Sequence, residues 1–487
     1  MRYIDAPKVQ NVTSILSFLS LRNRFSAFLI HLILWQPTTN YAKVYYNKKE
    51  EVRFMNTKIG IRKWLSFIIA GFVGQLAWAI ENNYFNLYVF DCTKEYTFIP
   101  IMVAASAAAA TLTTLLMGAL SDRLGKRKAF ISFGYILWGI SIILFAFLDP
   151  KSNFNIVASS TMMSGTMIVI MDCVMTFFGS TANDASFNAF VTDNTEESYR
   201  GKVESVLSIL PLISMIAVVG LAGALTKDGV VNWSIFFYVF GGLTAVVGIV
   251  CIFLLPKDVC VPNKEEPYIK NIFYGFRPSV IKNNAILYLT LVTFAVFSIG
   301  IQVFMPYLMV YIQNVLKITD LNFTITLGVV LITASAITVV FGLFMDRIGK
   351  NKIMIPAILL AVVGAIIFGL VHTQVGVMIA GIILMSGFMI GTAVLGAKVR
   401  DYTPEKEVGL FQGVRMIFLV LIPMVTGPYI GQGVSYINKT EYVNEYSKTV
   451  VAPNNLIFIF AGIVIALAVI PAVFVLLKEK KKNEATA

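Results

Sequence analysis

The sequence GALSDRLGKRK at residues 118–128 returns at residues 342–352 as GLFMDRIGKNK. Both copies follow the pattern Gly-x-x-x-Asp-Arg-x-Gly-Lys-x-Lys, and both lie between long apolar stretches. One such loop could be an ordinary basic turn. The same pattern at the same place in each half of the chain instead favours duplication of an ancestral half. The repeat therefore predicts a membrane protein made of two related halves.

The composition indicates a polytopic membrane protein. Hydrophobic residues make up 57% of the chain and charged residues 14%, with a mean hydropathy of +0.76. A soluble domain cannot bury this much apolar surface, whereas lipid solvates it. The net charge of +12 is spread over alternate loops rather than one face, so it indicates membrane topology and predicts no nucleic-acid partner.

Apolar segments long enough to cross a bilayer predict an all-α fold with twelve transmembrane helices in two pseudo-symmetric six-helix bundles. The first set lies near 65–90, 98–120, 129–148, 158–182, 203–226 and 233–255, and the second near 285–312, 323–345, 353–371, 375–397, 409–431 and 455–477. The predicted domains are an N-terminal extension (1–54), a first bundle (55–256), a polar linker (257–284), a second bundle (285–478) and a basic tail (479–487).

The distribution of Lys and Arg predicts the orientation. From Met55 onward, 25 of these residues fall on one side of the predicted membrane and 6 on the other. Because cytoplasmic loops are enriched in Lys and Arg, both termini and the linker are expected inside the cell. The expected location is a bacterial plasma membrane.

The first 54 residues fit the twelve-span pattern poorly. The fairly apolar stretch from Ser14 to Trp35 is interrupted by charges and is compatible with a surface helix, a thirteenth span, or sequence outside the mature protein. We favour the last hypothesis, because codons for 49–51 (Lys-Glu-Glu) can form a purine-rich ribosome site just upstream of Met55.

Motifs of catalysis and cofactor binding are not found in the sequence. It has no phosphate-binding glycine loop, no nucleophile with a base and no metal-ligand spacing, so neither an enzyme nor an ATP-driven pump is expected. The cysteines and histidines show no paired spacing; they are Cys92, Cys173, Cys251, Cys260, His31 and His372. We expect no cofactor apart from a proton or sodium as coupling ion.

The repeated loop resembles the signature of the major facilitator superfamily, and the resemblance covers the chain from Met55 onward. Members of that family have two six-helix halves that rock around a central site. By this resemblance Asp122, Arg123, Asp346 and Arg347 are gating residues. The alternative is that these residues only anchor the topology.

A second repeated element supports gating at the same side. Asp193 and Arg200 lie between the fourth and fifth predicted spans, and Asp401 and Arg415 occupy the equivalent region between the tenth and eleventh. Each pair puts an acid and an arginine at the mouth of a proline-containing helix, where an ion pair can form or break as the halves move.

A polar and aromatic stripe runs along the first predicted span. Its members recur every three or four residues, which places them on one helix face; they are Gln75, Trp78, Glu81, Asn82, Phe85 and Asn86. A carboxylate and amides beside a tryptophan suit a sugar, whose hydroxyls need hydrogen bonds and whose C–H face packs on aromatic rings. The alternative for the amides is that they join helices together.

The fourth predicted span carries Asp172 and, in NDASFNAFV at 183–191, Asp184 and Asn188. This stretch resembles the glycoside-pentoside-hexuronide:cation symporters and their sucrose-transporter relatives. The resemblance implies that Asp184 takes part in sugar or cation binding, with Asn188 nearby. The first-span Asp of the melibiose-type members has no match, since Glu81 and its neighbouring asparagines occupy that region.

The combined prediction is a cation-coupled sugar or glycoside symporter that works by alternating access. Glu81, Asp172 and Asp184 are the expected cation-coupling residues, because an acid in a partly dry cavity binds a proton readily. Gln302 and Tyr307 of the seventh span are expected to contact the substrate. The alternative is an exporter of drugs or metabolites. A receptor or scaffold is less consistent with acids inside the membrane. We expect a monomer without an obligate protein partner.

Overall fold

The computed structural model describes residues 60–148, 161–195, 203, 206–207, 209–227, 230–259, 274–404, 408–443 and 449–486. The predictions for the 1–54 extension, for Arg200 and for residues 260–273 of the linker lie outside these residues.

Eleven of the described helices are long and apolar enough to cross a membrane. We number the spans in chain order, with the shorter apolar helix Leu210–Ala224 as span 5. Spans 1 to 6 are Ile61–Thr93, Phe98–Leu124, Arg127–Phe147, Met162–Asp193, Leu210–Ala224 and Trp233–Leu254. Spans 7 to 12 are Ala285–Val315, Leu321–Gly342, Lys350–Leu370, Gln374–Tyr402, Gly413–Ser435 and Leu456–Lys481. The predicted all-α architecture is confirmed.

The two ends of the bundle differ in their connections. At one end, which we call the basic end, lie the repeated loops at 118–128 and 342–352. The opposite end, which we call the hairpin end, carries two antiparallel hairpins. Thr226–Lys227 pairs with Val230–Val231 between spans 5 and 6, and Thr440–Val443 pairs with Thr449–Ala452 between spans 11 and 12.

Several spans contain a turn of π-helix, where the backbone hydrogen bond skips one extra residue. These turns are Ile80–Tyr84 in span 1, Ser180–Phe187 in span 4, Tyr311–Val315 in span 7 and Ile417–Leu421 in span 11. The π-turn of span 4 carries that helix through a polar stretch to Asp193, beyond its predicted end at 182. Such turns are frequent at functional sites.

Glycines allow close packing between helices within each half. A Cβ added at Gly139 of span 3 would lie 2.3 Å from the Ala245 nitrogen of span 6. In the second half, a Cβ at Gly387 of span 10 would lie 2.3 Å from the Ala361 nitrogen of span 9. Small residues at these positions let two backbones approach, which is a common way to join helices in lipid.

The two halves contact each other strongly toward the hairpin end. The Ile422–Ser435 part of span 11 packs against span 2, and span 5 packs against span 8. A Cβ at Gly223, near the hairpin-end terminus of span 5, would lie 2.3 Å from the Thr324 Oγ1 atom in the first turns of span 8. These contacts join the two halves at the hairpin end.

Candidate functional site

A cavity of about 350 Å³ lies between the two halves. Spans 1, 2 and 4 form one wall, and spans 7, 10 and 11 form the other. The described lining residues of the first half are Glu81, Asn82, Asn83, Asn86, Met102, Val103, Ser106 and Asp172. Those of the second half are Phe294, Ser298, Ile301, Gln302, Met305, Pro306, Phe388, Thr392, Leu419 and Met424.

Glu81 is positioned by the π-turn of span 1. Its side chain is buried, and its Oε1 atom accepts a hydrogen bond of 2.8 Å from the Thr176 hydroxyl of span 4. The buried Oε2 atom has no hydrogen-bond partner among the described residues. One carboxylate oxygen is therefore held by the protein, while the other is left for a proton, a cation or a ligand donor.

Asp172 of span 4 is only 1% exposed, and its carboxylate lies near the Ser106 hydroxyl of span 2 without a close hydrogen bond from any described residue. It lies close enough to Glu81 for the two carboxyl groups to interact electrostatically. Two buried acids that face one cavity are very costly when both are ionised without a counter-charge. This arrangement therefore favours binding of a proton or a cation.

The amides of span 1 present oxygen atoms to the cavity. Asn82 and Asn86 donate their Nδ2 hydrogens to backbone carbonyls one turn earlier, at 2.9 and 3.0 Å. Asn83 does the same to Ala79 at 2.9 Å. Each of these bonds uses one of the two Nδ2 hydrogens, so a second N–H and the Oδ1 atom remain on Asn82 and Asn86, and the Oδ1 atom of Asn86 is buried without a partner in the described structure. With these amides and the carboxylates, the wall suits a ligand with several hydroxyl groups, which both donate and accept.

The second half contributes an amide and two hydroxyl groups on the facing wall. Gln302 was expected from the sequence, whereas Ser298 and Thr392 were not. The Thr392 Oγ1 atom is buried and has no hydrogen-bond partner among the described residues. These groups both donate and accept hydrogen bonds, so together with the acceptors of span 1 they can hold a polyol from two sides.

Five of the predicted substrate residues are not among the described residues that line this cavity. Gln75 and Trp78 lie in span 1 closer to the basic end, and the Trp78 ring packs 5.0 Å from that of Trp138. Asp184 accepts hydrogen bonds from Ser180 at 3.1 Å and Asn183 at 3.4 Å. The exposed Asn188 donates to the backbone oxygen of Asp184, and Tyr307 lines a different pocket.

The repeated loop of the first half is organised by Arg127. This buried guanidinium pairs with Asp122 in the same loop and with the Asp193 Oδ2 atom, 3.2 Å away, at the end of span 4. Its Nη1 atom also donates to the Ser121 hydroxyl at 2.6 Å. The predicted acids Asp122 and Asp193 are thus brought together, with Arg127 as the cation between them.

The second half uses different residues at the equivalent positions. Asn351 stands where the first copy has Arg127, and its side-chain oxygen accepts a hydrogen bond from Lys398. Lys398 also pairs at 2.6 Å with Glu479, where span 12 leaves the bundle. Asp401 pairs with Lys350 at 2.6 Å. The basic-end terminus of span 10 is therefore tied both to the repeated loop of the second half and to the end of span 12.

The remaining predicted gating residues differ in their surroundings. Arg123 and Arg347 are exposed, and Arg415 is half-buried at the basic-end part of span 11. Asp346 lies in the helix Asp320–Ile348, which continues span 8. Among the described residues, no group of three or more His, Cys, Asp or Glu is arranged to hold a metal ion.

Comparison with known proteins gives a family and a fold. The family model described as Major Facilitator Superfamily matches residues 64–396 and 323–487. A search of curated proteins found no significant match.

Solved structures of transporters resemble the chain over most of its length. A variant of the nucleoside transporter NupG has a TM-score of 0.65 and 13% identity, with 85% of this chain and 98% of that chain covered. The inward open xylose transporter XylE from E. coli has a TM-score of 0.62 and 14% identity, covering 84% and 95%. Its partially occluded inward open form has a TM-score of 0.59 and 13% identity, covering 84% and 98%. At these identities the likeness concerns the fold alone.

Proposed function

Because the chain belongs to the major facilitator superfamily, we propose that it is a secondary active transporter that moves a sugar or glycoside together with a proton or sodium ion. The central observation is the cavity between the halves, where two buried carboxyl groups stand beside a wall of amide oxygens. The xylose and nucleoside transporters that share the fold also carry ligands with several hydroxyl groups, in agreement with this proposal.

The cavity volume sets the size of the ligand. At about 350 Å³ it lies at the lower end of the usual range for small-molecule sites, roughly 300–1,000 Å³. Hydroxyl groups of a mono- or disaccharide would donate to Asn82 and Asn86 and exchange hydrogen bonds with Gln302 and Thr392. The apolar faces of Phe294 and Phe388 supply surface for the C–H groups of the ring.

Coupling in this proposal depends on the charge state of Glu81 and Asp172. With both acids ionised, the cavity carries two buried negative charges, which oppose any movement that removes water from them. A proton or sodium ion lowers this cost, and the sugar then completes the hydrogen bonds of the remaining oxygens. Because only the neutralised and loaded site can close, ion and sugar cross together.

The orientation proposed is that the basic end faces the cytoplasm, as the 25 to 6 distribution of Lys and Arg predicts. In that orientation the hairpin-end contacts between spans 5 and 8 close the outside, and the cavity belongs to an inward-facing state. Asp122, Asp193 and Arg127 would then rearrange at the cytoplasmic side when the halves rock.

The test is transport by the purified full-length protein in liposomes. Radiolabelled glucosides, galactosides, pentoses, oligosaccharides and nucleosides are offered with a pH gradient, with a sodium gradient, or with neither. Accumulation of a sugar that depends on one gradient supports the proposal and identifies the ion. If the folded protein accumulates none of these compounds but expels hydrophobic cations or metabolites, the alternative of an exporter replaces it.

A further inference from the structure

A second and larger cavity, of about 550 Å³, lies at the hairpin end. Both halves form it. Tyr96 and Thr97 come from the connection between spans 1 and 2, while Gln432 and Tyr436 come from the end of span 11. Glu441 of the second hairpin stands at the mouth, with its side chain 44% exposed. We call this cavity the outer pocket.

A three-residue turn separates the outer pocket from the central cavity. Met305 and Pro306 line the central cavity, and Tyr307, the next residue, lines the outer pocket. The Tyr307 hydroxyl donates to the Pro428 carbonyl of span 11 at 2.8 Å. A Cβ added at Gly431 would lie 2.8 Å from the Tyr307 ring, so span 11 holds this ring closely. The two cavities therefore share a thin wall.

The lining of the outer pocket combines aromatic and hydrogen-bonding groups. The Tyr96 ring is stacked on Phe90 with centroids 4.3 Å apart, which fixes its plane, and Tyr436 is 53% exposed. Gln432 adds an amide that can donate and accept. Flat aromatic faces beside amide and carboxylate groups are suited to a sugar ring.

The charges of the outer pocket disfavour an anionic ligand. Two acids, Glu95 and Glu441, line it together with one lysine, Lys439. Lys439 is already paired with Glu441 at 2.5 Å, and this hydrogen bond raises the pKa of Lys439 above its ordinary value. The lysine thus stays charged and paired at neutral pH, and among the described lining residues it is the single cation that a phosphate or carboxylate ligand would meet.

We propose that the outer pocket is a second binding site for the transported sugar, and that its occupancy holds the hairpin end closed. Both halves line the pocket, so its walls must separate when the halves open at this end. A ligand bound between them stabilises the closed state by linkage, whatever its affinity for the central cavity. The inference rests on the proposed function for the class of ligand.

The kinetic consequence is inhibition of uptake by excess sugar on the hairpin side. When two sites are coupled, a ligand at one site typically changes the affinity of the other site by a factor of about 5 or more. We therefore expect uptake into oriented liposomes to pass through a maximum and then fall several-fold as the sugar concentration rises. Efflux measured with sugar only on the basic side should saturate normally, because the outer pocket is then empty.

Two variants and a control connect the inhibition with the pocket. Gln432→Leu and Tyr436→Leu should restore simple saturation of uptake. At low sugar concentration, the uptake rate of each variant should stay within about twofold of that of the parent chain. Ile437→Ala is the control, since Ile437 is 61% exposed beside Tyr436 but is not among the described lining residues. It should retain the inhibition.

Binding is tested separately with Val451→Cys, at an apolar position of the pocket lining. The parent chain gives the background of labelling by an impermeant thiol reagent, since Cys92 and Cys251 are buried and Cys173 of span 4 is partly exposed. The transported sugar should slow labelling at 451 about 5-fold or more, and should still do so when Asp172→Asn weakens the central site.

The outcomes separate this inference from the proposed function. A sugar that is transported with simple saturation and gives no protection at 451 overturns the outer site and leaves the transporter proposal intact. Protection that disappears with Asp172→Asn also overturns the outer site, because sugar bound in the central cavity would then be what changes labelling at residue 451. If no sugar or nucleoside is transported or protects, both proposals fail together.

Discussion

The Arg127 Nε atom lies 3.2 Å from the Asp193 Oδ2 atom, so a buried guanidinium joins the start of span 3 to the end of span 4. The same side chain pairs with Asp122. The loop between spans 2 and 3 is thereby joined to the end of span 4 within the first half. The acids are partly exposed and the arginine is not, which places the arginine at the centre of this cluster.

We expect Arg127→Gln to lower both stability and turnover. Loss of the guanidinium leaves two carboxylates facing each other and removes three side-chain contacts, a cost of about 1–3 kcal/mol. Arg123→Gln is the control, since that side chain is exposed and its replacement should cost less than about 0.5 kcal/mol. Thermal unfolding in detergent and the transport rate in liposomes give the two readouts. Equal effects of both substitutions would contradict the central place of Arg127.

Asp193→Asn tests whether this cluster takes part in gating. The substitution keeps the shape of the side chain and removes its charge, so we expect a slower turnover with a nearly unchanged affinity for substrate. Asp401→Asn makes the same change in the second half, where the acid pairs with Lys350. Transport rates are compared with equilibrium binding of the same ligand. Unchanged transport in both variants would indicate that the acids only anchor the topology.

The repeated loop shows which part of the site could be predicted from the sequence. The pattern identified the acids and the basic cluster, and the family resemblance gave Arg123 as the gating arginine, whereas Arg127 was not singled out. In the structure Gly125 has φ +61°, and this left-handed turn reverses the chain so that Arg127 returns to Asp122. Residues adjacent in sequence point to different sides of a helix, so the path of the backbone after the helix decides which arginine side chain reaches Asp122.

The hydroxyl groups of the central cavity could not be predicted for another reason. Ser and Thr in apolar helices commonly donate to the carbonyl one turn earlier, as Thr290 and Thr293 do at 2.8 Å. Nothing in the sequence distinguishes these from Thr392, whose hydroxyl lies at the cavity without such a bond. The stripe of span 1 was easier to recognise, because its amides and Glu81 repeat on one face.

The buried pair of Lys398 and Glu479 should contribute to the stability of the basic end. Their side chains are 2% and 9% exposed, and the Nζ and Oε1 atoms are 2.6 Å apart. Glu479→Gln or Lys398→Met leaves one buried charge without its partner, which typically costs about 3–5 kcal/mol. The double variant K398M/E479M should be closer to the parent chain, since no unpaired charge remains.

A suitable control for this pair lies one turn further along the same helix. Lys480 and Glu484 are 3.8 Å apart and 76% and 63% exposed, so Glu484→Gln should leave the unfolding temperature almost unchanged. A double-mutant cycle on Lys398 and Glu479, followed by thermal unfolding, measures the coupling directly. A coupling no larger than that of the exposed pair would contradict the prediction.

Gly427 should be required for the position of Gln302 in the cavity wall. A Cβ at residue 427 would lie 2.5 Å from the Gln302 Cβ and 2.8 Å from the Ile299 carbonyl. Gly427→Ala therefore forces spans 7 and 11 apart, at a cost of about 1–3 kcal/mol, and raises the KM for sugar. Gly433→Ala on the same helix has no atom within 4 Å of the added Cβ and should leave both properties unchanged or slightly improved.

Removing the charge of Glu81 should separate transport from its driving force. Glu81→Gln keeps a side chain that can accept from Thr176, while the site can no longer take up and release a proton or hold a cation at Oε2. We expect this variant to lose accumulation against a gradient and to retain exchange of sugar across the membrane. Asp172→Asn should behave similarly, because its two unpartnered oxygens face the same cavity.

Asp184→Asn distinguishes the two candidate coupling ions. Asp184 lies outside the described lining of the cavity and is held by Ser180 and Asn183, so it is not needed for a proton site at Glu81 and Asp172. If the ion is a proton, this variant should still accumulate sugar when a pH gradient is applied. If uptake depends on sodium and disappears with Asp184→Asn, the cation binds at span 4, toward the basic end. Accumulation that survives Glu81→Gln would contradict the assignment of coupling to Glu81, and accumulation that also survives Asp172→Asn would show that coupling does not pass through the central pair.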